Sequence, residues 1–147
     1  MRGTSARLKR LLAIRRLSEE LDRSTLQLAQ AAVREVESAL GRHEAAQTEL
    51  RLAARTALCQ GDRCTWLLAD AQAEVAGWNL RRLRDLLSAR NQAVSEAMQA
   101  FQQSRMEQEQ VGLLVEAARQ AERIDQDRKA QASADDWFLS RRDRTEG

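Results

Sequence analysis

The 147-residue chain carries 24 basic and 22 acidic side chains, no proline, no tyrosine and 3% aromatic residues. So even a balance of charge says little about partners, the lack of a sustained basic stripe and of stacking aromatics argues against nucleic acid, and so little aromatic volume argues against a thick core of the usual globular kind. Alanine, leucine, glutamine, glutamate and arginine dominate. These side chains lose little freedom on a helix, which favours long helices joined along a narrow seam.

No apolar run approaches the roughly 18–20 residues needed to span a bilayer. Stretches such as Leu11–Ile14 are only four residues long. The segment RLKRLLAIRRL is too short and too interrupted for a secretory signal. A cytoplasmic chain with reduced thiols is expected.

A first helix is expected over about 5–58. Apolar residues recur at three- and four-residue steps through Leu8, Leu11, Ile14, Leu17 and Leu21, then through Leu26, Ala29, Val33, Val36 and Leu40. Such steps place a stripe on one side of a helix. The five-residue step from Leu21 to Leu26 shifts the register without breaking the helix. His43, Gln47, Leu50, Ala54 and Ala57 continue the second register.

A turn is expected over about 59–64, CQGDRC. Gly61 suits the position just past a helix end, where the backbone turns left-handed. Asp62 or Thr65 suits the cap of the next helix. The two thiols invite a zinc or redox reading, but a structural zinc needs four ligands. His43 lies sixteen residues before Cys59 on the same helix, roughly 24 Å away, and cannot join them. The cysteines therefore read as flanks of a hinge, with no metal or cofactor expected.

A second helix is expected over about 65–141. Its stripe runs through Leu68, Ala71, Val75 and Trp78, changes register, and continues through Leu80, Leu83, Leu87, Val94, Ala97, Phe101, Val111 and Val115. Neither helix can bury its stripe alone. The short connection predicts an all-α, antiparallel two-helix coiled-coil hairpin forming a single domain. A turn centred at Gly61-Asp62 sets Leu40 opposite Leu83, Val36 opposite Leu87, Ala29 opposite Val94 and Leu8 opposite Val115. Gly77 falls beside Ala46. The last roughly 25 residues of the second helix are left as an overhang, where a binding partner is expected.

Catalytic motifs are absent: no Gly-rich phosphate loop, no Ser/His/Asp set and no HExxH. Paired acids such as Glu19-Glu20 and Asp135-Asp136 point apart on a helix. His43 reads as a seam histidine, and most of the value of Trp66 and Trp78 as buried area, with Trp66 the one open to recognition. The basic start, with Arg7, Lys9 and Arg10, could meet an acidic protein cavity or an anionic membrane surface, or stay solvated. Trp137 and Phe138 in ADDWFLSRR fall in the overhang beside Arg141 and Arg142, residue types that anchor interfaces.

Three stretches carry a family resemblance: RLKRLLAIRRLSEELDRSTLQLAQA, WNLRRLRDLLSARNQAV and ADDWFLSRR. Together they resemble the FliJ family, the central stalk of the bacterial flagellar export ATPase. The resemblance implies a non-enzymatic stalk that enters a hexameric export ATPase, contacts the cytoplasmic domain of the membrane export gate and binds export chaperones. It implies a gate-contact face at Leu83, Leu87, Arg90 and Val94. It places ATPase-ring contacts at Arg7, Lys9, Arg10, Asp135, Asp136, Trp137, Phe138, Arg141 and Arg142. Three other readings remain: the equivalent stalk of a virulence type III secretion system, a coiled-coil scaffold or tether, and an amphipathic protein of a membrane surface.

Overall fold

A computed structural model describes residues 2–145. Two helices account for nearly all of them: α1, Arg2–Cys59, and α2, Arg63–Thr145. They pack against each other as an all-α helical hairpin, the expected fold class. No helix among the described residues is long and apolar enough to cross a membrane.

The reversal of direction is built from backbone bonds that the sequence supplies. The N–H of Gly61 bonds the carbonyl of Leu58 at 3.1 Å, and that of Asp62 bonds Ala57 at 3.0 Å. This pair of bonds is the Schellman arrangement that satisfies the last carbonyls of a helix. It needs a left-handed residue, and Gly61 has φ of 76°. Asp62 then caps α2. Its carboxylate accepts the N–H of Thr65 at 3.1 Å and the Thr65 hydroxyl at 2.5 Å, while its carbonyl accepts Trp66 N–H at 3.1 Å. Those bonds, the Thr65 hydroxyl first and the Thr65 N–H second, hold the Asp62 carboxyl below its ordinary range. One residue thus closes one helix and opens the next.

The chain divides into two compact units. The turn unit, Asp22–Phe101, contains the hairpin bend. Its seam is made of small and medium residues: Ala54, Ala57, Ala69 and Ala73 near the bend, then Leu80, Val36, Leu26 and Ala97. Leu80 is the most enclosed, only 2% exposed. Alanines let two helix backbones approach closely, and Gly77 continues the pattern. A Cβ added there would meet Gln47 Nε2 at 3.1 Å. Gln47 instead turns its amide to the carbonyl of Ala73 at 3.2 Å. Arg23 lies over the Phe101 ring at 5.7 Å, and Arg84 pairs with Glu44 at 3.3 Å on the surface. Gln47 and Gly77 meet one position from the predicted Ala46 alignment.

The end unit joins the residues up to Leu21 with those from Gln102 onward. Its seam is more polar. Ser5 and Ser104 are buried beside Val111 and Val115. Arg15 donates to Glu107 across the seam, and Gln103 donates to the same carboxylate at 2.9 Å. The Nε of Arg15 is buried and has no hydrogen-bond partner. Leu8, Leu12, Gly112 and Ala118 are half-buried along this line.

Past Leu8, the first register of each helix does not face the other helix. Leu11, Ile14, Leu17 and Leu21 are exposed, and so are Leu68, Ala71, Val75 and Trp78. The physical reason is the width of a two-helix seam. It covers one narrow strip per helix, and the shifts at Leu21–Leu26 and Trp78–Leu80 move the two registers of each helix onto different strips. Leu12 and Arg15 take the seam in place of Leu11 and Ile14, and Ala69 and Ala73 take it in place of Leu68 and Val75. His43 is likewise exposed, because at its level the seam passes through Leu40 and Gln47. Trp66 is half-buried and Trp78 exposed, the reverse of the expected order of openness.

Candidate interaction surfaces

Large apolar side chains are exposed in each unit, and their placement defines what the molecule can bind.

Three surfaces result, the first of them the far part of α2. Every described side chain from Gln126 to Arg144 is exposed. There Trp137 and Phe138 meet edge to face, ring centroids 5.1 Å apart. Arg141 lies over the Trp137 ring at 5.0 Å, one helical turn on. Ser140 bonds back to the carbonyl of Trp137 at 3.0 Å, and Leu139 is exposed next to them. Asp125 is tied to Lys129 at 2.7 Å, which lowers its carboxyl pKa. Asp135, Asp136 and Arg142 flank the aromatic pair, all exposed. The sequence places these residues together; what it does not give is the edge-to-face contact of Trp137 with Phe138 and the guanidinium over the Trp137 ring. A rigid aromatic pair with an arginine is the composition of an interface anchor.

The second surface is the start of α1. Arg7, Lys9 and Arg10 are exposed on the same stretch as Leu11, Ile14 and Leu17. Ile14 and Leu17 are 61% and 60% exposed. Within the same unit, α2 carries a stripe of its own, Met106, Leu113 and Ile124, with Leu113 73% exposed. Sequence periodicity found the first stripe but turned it inward. It missed the second, although the spacing of seven and then eleven residues sets all three on one helix face.

The third lies in the turn unit. Leu83, Leu87 and Val94 are half-buried in the seam, and Arg90 is exposed. Of these four, Arg90 and the outer edges of the aliphatic residues are open to a partner. On α2 nearer the bend, an open groove of about 730 Å³ is lined by Gln47, Arg51, Asp70, Glu74, Trp78 and Arg81, among others. Its charged lining combines two carboxylates, Asp70 and Glu74, with Arg51, Arg81 and Arg84. Cys59 and Cys64 are exposed free thiols on either side of the bend. Among the described residues no three histidine, cysteine or acidic side chains gather as metal ligands.

Comparison with protein-family models, with characterised proteins and with solved structures gives no significant match.

Proposed function

We propose that the chain is a non-enzymatic coupling protein of a type III export apparatus, the stalk of its hexameric ATPase. The flagellar system is the one its sequence resembles. The observation that carries this reading is the helix from Gln126 to Arg144, exposed throughout and bearing the Trp137–Phe138–Arg141 cluster. Uncovered helix with an aromatic anchor is surface awaiting a partner. Arg7, Lys9 and Arg10 supply positive charge on the same unit, and charged groups of this kind orient an encounter without locking it. The hairpin then transmits a displacement at one nucleotide site of the ring to the others, with no chemistry of its own. Gate contact falls to Arg90 and the outer edges of Leu83, Leu87 and Val94, and export chaperones are the remaining partners. In this reading the protein works in the cytoplasm, peripheral at the inner face of the cytoplasmic membrane.

Truncation after Ala132 tests the assignment. Stimulation of the export ATPase should fall about tenfold or more, the loss of one anchor cluster, while circular dichroism shows the remaining chain still helical. Undiminished stimulation contradicts the assignment. Gene neighbourhood separates a flagellar from a virulence system. A scaffold or tether is the second reading, favoured by the outward apolar stripes, and it predicts no effect on any ATPase.

A further inference from the structure

The part of α1 that belongs to the end unit joins a one-sided apolar surface to charge of one sign. At about 100° per residue, Ile14, Leu17 and Leu21 fall within about 60° of one another on the helix. All three are exposed, Leu21 the most at 69%. They lie roughly 150° around α1 from Leu8, Leu12 and Arg15, which take the seam of this unit. Seen from the stripe, α2 is therefore behind α1. Exposed Leu11 borders the stripe on one side and exposed Ala13 on the other, which widens the apolar arc to about 160°.

Arg7 and Arg10 continue the line of Ile14 and Leu17 toward the helix start, and both are exposed. No carboxylate falls inside the arc. Residues 2–18 include six basic side chains, and the first acid is Glu19. Arg15 is committed to Glu107 in the seam, whereas Arg7 and Arg10 share the direction of the stripe. The carboxylates of α2 in this unit lie across the seam, away from the arc.

Width and charge together select the occupant. One partner helix covers only a narrow strip, whereas a flat surface covers the whole arc. Arginines beside an apolar face that has no acid complement an anionic surface. Their long stems let the guanidinium groups reach headgroups while the aliphatic residues go deeper.

We propose that this face of the end unit binds an anionic lipid surface, with Ile14, Leu17 and Leu21 at the boundary of headgroups and acyl chains and Arg7 and Arg10 at the lipid phosphates. The inference goes beyond the stalk reading and does not depend on it. It gives the peripheral placement in that reading a surface of its own.

Flotation of the full chain with vesicles tests it, phosphatidylcholine alone against phosphatidylcholine mixed with phosphatidylglycerol. Binding should be about tenfold or more stronger with the anionic lipid and should fall as salt rises. Ile14→Glu with Leu17→Glu should lower it about tenfold or more, with helical content by circular dichroism unchanged, since both residues are already exposed. Arg7→Gln with Arg10→Gln should lower it about fivefold for each arginine, on anionic vesicles only. Truncation after Ala132 keeps the whole face, so vesicle binding should persist in the chain that has lost ATPase stimulation; the two readings therefore fail separately. A chain that does not float with anionic vesicles overturns the proposal. So does equal binding to both lipids, or binding indifferent to the Ile14 and Leu17 changes. A mass in light scattering that doubles with concentration, and that Ile14→Glu returns to 16.6 kDa, would overturn it as well and assign the stripe to a second copy.

Discussion

The turn unit and the end unit use the same two helices to opposite effect. In the turn unit the seam is alanine and leucine, the glycine of α2 lies against a glutamine, and the bend is closed by reciprocal caps. In the end unit the seam holds serines and an ion pair, and large aliphatic side chains look outward. Burial of apolar area is the main favourable term in folding. Both units leave large apolar residues outside, Leu28, Leu52 and Leu68 in the turn unit as well as Ile14, Leu17 and Leu113 in the end unit, so the contrast lies in what fills the seam. The difference explains why one continuous pair of helices can be anchored at its bend and receptive elsewhere.

Substitutions can break or sharpen this contrast. The largest effect should come from the seam of the turn unit. Leu80→Ala should cost about 2–4 kcal/mol in urea unfolding, whereas the outward Leu68→Ala should stay within about 0.5 kcal/mol. Equal losses at the two sites would erase the distinction between seam and outer stripe. Next in size is the bend. Gly61→Ala forces a side chain into the left-handed region and should cost about 1–2 kcal/mol by the same measurement.

The end unit should respond in the other direction. Replacing the ion pair by Arg15→Leu with Glu107→Leu should leave the unfolding midpoint unchanged or raise it by up to about 1 kcal/mol of stability, since the pair is only part-buried and apolar replacements of buried pairs are often neutral or stabilising. Arg15→Ala alone should lower it. A loss from the double replacement would mean that the polar seam is a stabilising feature rather than a tolerated one.

A smaller effect is expected at the cap. The Thr65 bonds lower the folded pKa of Asp62, so the stability this group contributes is present above its unfolded value of about 3.9. It is lost as pH falls through the lower folded value. Asp62→Asn should remove that segment of the acid titration of stability. The smallest effect belongs to Cys59→Ser with Cys64→Ser. Both thiols are exposed, and their replacement should leave unfolding unchanged within about 0.5 kcal/mol.

The helical hairpin and its bend were legible because their determinants are local. Gly61, Asp62 and Thr65 mark the turn by their own chemistry, and the absence of proline lets both helices run on. Near the bend the alignment was legible to within one residue, since Gln47 meets Gly77 beside the predicted Ala46. Which stripe faces inward was not. Leu11–Leu21 and Leu68–Trp78 have the same spacing as true seam residues, and periodicity reports a face without saying what covers it. The five-residue step at Leu21–Leu26 was the available sign that two faces were in play. The polar seam was hidden for a related reason: Arg15 and Glu107 look like surface residues until the alignment brings them together. Trp137 and Phe138 stood out by residue type alone, and the structure adds the stacking of Arg141.

In the proposed stalk the bend holds the molecule together and the exposed far part of α2 receives the partner. Amide hydrogen exchange on the full chain, alone and with the purified export ATPase hexamer, tests it most directly. Residues 126–144 should exchange rapidly in the free chain and gain strong protection in the complex, while residues 54–80 are slow in both. Protection gained only around residues 59–64, or nowhere, would contradict it.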